Sequence, residues 1–180
     1  MKLYFIILNN KMMKRIIFIG MCYSGKTTLG KEVSDRMGYR FLDSRDLFFK
    51  FYKMSENEYL DKYGKEDFQE AEKNSLHYEF EGILSCGGSA IYYTDIMKKF
   101  SEQYNLVWLN VSYENILKRK EKDKMQRPIV YPEHIKNFRE LYDFRKDLYK
   151  KYANITIDVD DDEKIEDTTN KILKYLQETS

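Results

Sequence analysis

Arg15-Ile16-Ile17-Phe18-Ile19-Gly20-Met21-Cys22-Tyr23-Ser24-Gly25-Lys26-Thr27 is the stretch that decides the fold. Its apolar run ends at a glycine, the pattern of a strand buried on both faces. The next eight residues, Gly20 to Thr27, match the phosphate loop G-x-x-x-x-G-K-[ST] in full. Beyond them Leu29, Val33 and Met37 fall at helical spacing and Gly38 closes the helix. A buried strand entering such a loop and a helix leaving it make an anion site from backbone N–H groups and the helix N-terminus. Glycines at 20 and 25 permit the turn and a close phosphate approach. Lys26 is placed to reach the β- and γ-phosphates, and the Thr27 hydroxyl to ligand Mg²⁺.

Outward from this loop the chain alternates strand and helix. Tyr39–Leu42 reads as a second strand ending at Asp43. Ser44–Tyr63 reads as helical with a break near Met54-Ser55, where Ser55 and Glu58 form a capping box. Gly64 punctuates, and a helix is predicted over Glu66–Glu79. Ile83–Cys86 is the third strand, running into Gly87-Gly88. Thr94 is predicted to cap a helix to Gln103, Leu106–Val111 is a fourth strand, and Ser112 caps a basic helix to Lys122. Residues 123–132 lack periodicity and hold both prolines. Glu133–Tyr152 is predicted helical, Asn154–Asp158 a fifth strand, and Asp162–Gln177 a closing amphipathic helix. Five short apolar strands alternating with helices give an α/β fold with a parallel sheet and right-handed crossovers. Leu47, Phe48, Phe51 and Tyr52 read as core.

Composition narrows the classes. The 180 residues suit one domain. Lysines and arginines number 31 against 30 acidic residues, a net charge of +1, which argues against a general nucleic-acid or membrane binder. At 42% hydrophobic and 34% charged the chain is neither disordered nor membrane-spanning. Cys22 and Cys86 cannot form a disulfide framework and have no metal-type spacing; a cytoplasmic setting is expected. Cys22 is read as a neutral filler pointing away from phosphate. The apolar run after Met1 is too short for a signal peptide or a membrane span. Residues 1–12 are therefore taken as an extension, with a single domain over 13–180.

In order and spacing, residues 17–33, 41–46 (Phe-Leu-Asp-Ser-Arg-Asp), 83–91, Gln126-Arg127-Pro128 and 144–149 (Phe-Arg-Lys-Asp-Leu-Tyr) resemble the shikimate kinase family, within the nucleoside-monophosphate-kinase-like group of phosphate-loop folds. The resemblance implies a three-layer sandwich with strand order 2-3-1-4-5 and a lid near 123–132. It implies ATP as co-substrate, Mg²⁺ as cofactor, and phosphate transfer to a hydroxyl of a small anionic metabolite, by a monomer with no nucleic-acid or membrane partner. Gly20, Met21, Cys22, Tyr23, Ser24, Gly25, Lys26, Thr27 and Thr28 would hold ATP, with Lys120 flanking adenine, a position that Lys118, Arg119 or Lys122 could also fill. Thr27 and Asp43 would hold the metal. Asp43 also reads as an ordinary helix N-cap. Arg127 would close over the transferring phosphate. Gly87, Gly88 and Arg145 match acceptor-site positions, with Glu72 bracing them.

The departures gather in the acceptor pocket. The second aspartate of the family's D-x-D is Arg45, and one of its two carboxylate-binding arginines is Gln69. By side-chain charge the pocket gains about one positive unit. Arg45 and Arg145 are therefore expected to hold a more anionic acceptor together, the alternative being Arg45 turned outward or paired with Glu72. Asp46, three residues beyond Asp43, is the candidate base. Two other functions stay open on the sequence: a nucleoside or nucleotide kinase, and a nucleotide-binding regulatory module with weakened catalysis.

Overall fold

The computed structural model describes residues 15–123, 129–160 and 162–178. Arg127 and the proposed extension at 1–12 lie outside them. Five parallel strands, β1 (Ile16–Ile19), β2 (Phe41–Asp43), β3 (Ile83–Ser85), β4 (Asn105–Val111) and β5 (Ile155–Val159), form one sheet in the order β2-β3-β1-β4-β5. That is the order the resemblance implied. Seven helices among the described residues connect them: α1 (Lys26–Met37), α2 (Ser44–Tyr52), α3 (Glu56–Ser75), α4 (Thr94–Gln103), α5 (Tyr113–Lys122), α6 (Phe138–Tyr152) and α7 (Ile165–Glu178). Helices α1 and α7 pack together, as do α4 and α6, and they sandwich the sheet. No helix among the described residues is long and apolar enough to cross a membrane.

Burial follows position in the sheet. Central β1 is buried at all four residues, whereas edge strand β5 alternates buried and exposed. The parallel register sets Asp43 beside Ser85 and Phe18 beside Ser85, so the carboxyl ends of β2, β3 and β1 finish level with one another. Ligand sites of open α/β sheets lie just beyond such ends. The Ser85 hydroxyl donates to the Lys26 carbonyl at 2.9 Å, tying β3 to the first residue of α1.

Several expected boundaries move for local reasons. The helix predicted over Glu66–Glu79 belongs to α3, which is interrupted at Gly64 (φ 83°, ψ 177°) and stops at Ser75. The helix predicted from Glu133 begins at Phe138, where the Asn137 side chain accepts from the Glu140 N–H. Thr94 opens α4 but does not cap it: Tyr93 is the cap residue and no side chain bonds there. A single 3₁₀ turn, Ala90–Tyr92, follows Gly87-Gly88. Leu47 and Phe48 are core residues and Tyr52 packs on a smaller aromatic cluster, but Phe51 is 50% exposed, edge-on to Tyr78. The helix turns Phe51 away from the stripe that Leu47 and Phe48 bury.

Gly82, at the opposite end of the sheet from the loop, sits at φ 100°, and a Cβ there would collide with the Arg40 carbonyl. That carbonyl accepts from Ile83, while Gly82 itself accepts from Ile16. Gly82→Ala should therefore cost about 3 kcal/mol by urea denaturation, from left-handed strain plus a backbone clash.

Candidate active site

Gly20 (φ 144°), Tyr23 (φ 68°) and Gly25 (φ 92°) curl the loop between β1 and α1. Successive N–H groups in such a curl form a concavity for an anion. The Lys26 ammonium lies across the loop, donating to the carbonyls of Gly20 (2.9 Å) and Met21 (2.7 Å). An ammonium has three protons, so two serve the loop and one is left for a ligand. Burial pulls Lys26 down from its ordinary value to about 8.

Asp43 ends β2 and caps α2, accepting from the Arg45 N–H at 3.0 Å. The Thr27 hydroxyl donates to its Oδ2 at 2.8 Å. Both sequence readings of Asp43 thus meet in one carboxylate: it is an N-cap, and it faces the hydroxyl read as its metal partner. Burial alone would raise its pKa, but hydrogen bonds from Arg45 offset this and hold the carboxyl below the usual range.

Thr27, Lys26 and Asp43 open onto a cavity of about 600 Å³. Its walls include Asp46 and Arg45 of α2, Glu72 and Phe68 of α3, Gly87 and Gly88 after β3, and Arg145 of α6. Arg145 is 2% exposed. Its Nε donates to the Tyr92 hydroxyl at 2.7 Å and its Nη2 to the Val130 carbonyl at 3.0 Å. Its Nη1 lies against Gly88, where a Cβ would come within 2.7 Å. Glu72 is equally buried and accepts from Ser89 (2.7 Å) and Tyr93 (2.6 Å) rather than from Arg145. Its burial pushes its pKa up, against those two hydrogen bonds.

The cavity brings together Cys22, Lys26, Thr27, Asp43, Arg45, Asp46, Gly87, Gly88 and Arg145. It corrects three sequence expectations. Arg45 does not join Arg145 or pair with Glu72: its guanidinium folds back on Asp43, Nε to Oδ1 and Nη2 to Oδ2, both at 3.0 Å. The carboxylate is two residues away at a helix cap, the shorter reach. Gln69 lies against a separate hollow with Tyr92 and Phe144, because Phe68, Ala71, Glu72 and Ser75 form the buried stripe of α3 and Gln69 falls outside it. Lys120 rests over the Phe138 ring at 5.4 Å, whereas its neighbour Arg119 reaches the loop, donating to the Tyr23 carbonyl at 3.2 Å. Ser44, whose hydroxyl accepts from the Gly87 N–H at 2.9 Å, was missed, although a serine after the capping Asp43 was visible in the sequence.

A family model of shikimate kinase matches residues 23–177. Similar curated proteins include a shikimate kinase of Parabacteroides distasonis, 33% identical over 174 residues, spanning 91% of this chain and all of that protein. The solved shikimate kinase of Bacteroides thetaiotaomicron is 28% identical with a TM-score of 0.73, covering 91% of this chain and 98% of that one. The shikimate kinase from Acinetobacter baumannii in complex with shikimate is 25% identical, with a TM-score of 0.83 over 94% of this chain and 96% of that one.

Proposed function

The chain belongs to the shikimate kinase family and is an ATP-dependent phosphotransferase acting on a hydroxyl; from that premise we propose that shikimate is the acceptor and that it binds in the cavity between Lys26 and Arg145. The observation that carries this reading is Arg145. A fully buried guanidinium normally has a carboxylate partner, yet among the described residues this one hydrogen-bonds to the Tyr92 and Tyr149 hydroxyls and the Val130 carbonyl and to no carboxylate, with Nη1 facing Gly88. An acceptor carboxylate completes it. The shikimate complex of the A. baumannii relative supports the same choice, and the comparisons do not favour a nucleoside-kinase alternative.

The chemistry follows from placement. Phosphoryl transfer has a loose transition state and needs alignment and neutralised charge more than covalent help. The loop amides and the third Lys26 proton hold the β- and γ-phosphates. The Thr27 hydroxyl and the Asp43 carboxylate are adjacent hard oxygen donors of the kind Mg²⁺ takes; bound there, the ion would neutralise phosphate charge. Arg145 fixes the acceptor's carboxylate, and Asp46 on the same cavity wall takes the hydroxyl proton. Phe68 and Val130, both buried, limit water. One chain supplies all of these groups, so a monomer suffices, and cysteines that are not joined in a disulfide, Cys22 and Cys86, suit the reducing cytoplasm.

Coupled ADP release with the full chain tests the acceptor directly. Saturable ADP production on adding shikimate is expected. ADP release that is indifferent to shikimate would overturn the assignment.

A further inference from the structure

We infer that Arg45 is a resident counter-cation that competes with the divalent metal for Asp43, leaving that carboxylate when metal and nucleotide load. The inference rests on reading Thr27 and Asp43 as the metal's place. A carboxylate offers about four lone-pair sites. In Asp43 all four are taken: Oδ1 by the Arg45 N–H and Nε, Oδ2 by the Thr27 hydroxyl and Arg45 Nη2. A cation or its water must therefore displace a donor. The backbone N–H cannot leave without undoing the cap of α2. Thr27 stays at the metal as a ligand. The guanidinium is the part that can move, because the Arg45 side chain is 43% exposed while that of Asp43 is 8% exposed. Its Nη2 also lies 3.5 Å from the Thr27 hydroxyl, so it stands beside both metal-binding groups.

Asp46 and Glu56 line the same cavity, and both act electrostatically on Arg45. They give the displaced guanidinium a place inside the cavity instead of in bulk water. Metal loading thus moves a positive charge from Asp43 toward the acceptor's space. By linkage, an anionic acceptor that meets Arg45 strengthens metal binding by the same factor.

Titration calorimetry of ADP, in EDTA and in excess magnesium, tests this without turnover. The magnesium-dependent gain in ADP affinity should be about five- to tenfold larger in Arg45→Met than in the unmodified chain, the scale of a half-exposed bidentate pair. Arg45→Lys keeps a cation but cannot span both oxygens, so its gain should exceed that of the unmodified chain by about threefold; it also serves if the methionine variant does not fold. Equal magnesium gains in all three proteins would overturn the inference while leaving the site reading intact. An unmodified chain that binds no ADP under either condition would overturn both.

Discussion

Lys26→Ala should lower phosphate transfer on the order of 10²- to 10³-fold while the protein stays folded. The loss follows from removing a preorganised charge aimed at the transferring phosphate in a site that excludes water. Folding survives because the residue is a buried ammonium whose desolvation opposes the charged form. The alanine variant loses two hydrogen bonds to the loop carbonyls but also the cost of burying a charge. Its Tm should stay within about 4 °C of the parent, equivalent to about 1 kcal/mol in a chain of this size. A collapse of both Tm and activity would mean that Lys26 is a structural strut. The same residue sets a pH dependence. With a folded value of about 8, below the ordinary 10.5, Lys26 loses its proton in the free protein as pH passes 8. Phosphate binding needs that proton, so nucleotide affinity should fall above pH 8, by up to about tenfold per unit. Folding stability moves the other way. The unfolded chain binds the proton more tightly between 8 and 10.5, so the burial penalty, full below pH 8, fades as pH rises through that window.

Arg145→Lys should raise the KM for shikimate about 10- to 100-fold, with kcat and the KM for ATP changed only a few-fold. Arginine does two jobs here. Its Nε and Nη2 are held by Tyr92 and Val130, which fix the plane of the guanidinium, the Tyr149 hydroxyl also bonds to it, and Nη1 faces Gly88. A lysine has one nitrogen for both jobs and no planar fork. The lost interaction is a hydrogen bond to a charged group, worth about 1.5–3 kcal/mol, and it is made in ground and transition states alike. Steady-state kinetics with each substrate varied in turn separates this from general damage: an equal rise in the KM for ATP would place the effect on the fold.

The phosphate loop was legible because every part of it lies within eight consecutive residues, strand before and helix after. The ends of β2 and β3 were legible for a related reason: Asp43 and Gly87-Gly88 each follow a short apolar run directly. The partners of long side chains were not legible in the same way. Arg45 can reach a carboxylate two residues away or an acceptor across the cavity, and only the helix cap geometry settles which. The spacing Asp43-Ser44-Arg45 at a helix start already held the hint, since a cap carboxylate is fixed and near. Gln69 and Lys120 show a second cause. Each lies one position from the residue that faces inward, Phe68 in α3 and Arg119 in α5. Alignment to a family pattern carries position along the chain, but helix phase decides which way a side chain faces. The break read at Gly64 is a kink with φ 83° inside α3, not a boundary between two helices.

Phosphorus NMR of the full chain with ATP, magnesium and shikimate follows the phosphate itself. Loss of the γ-phosphate signal should be matched by growth of one phosphomonoester signal, and both changes should be absent in Lys26→Ala. Growth of inorganic phosphate alone, or a γ-phosphate signal that persists with shikimate present, would contradict transfer to that hydroxyl.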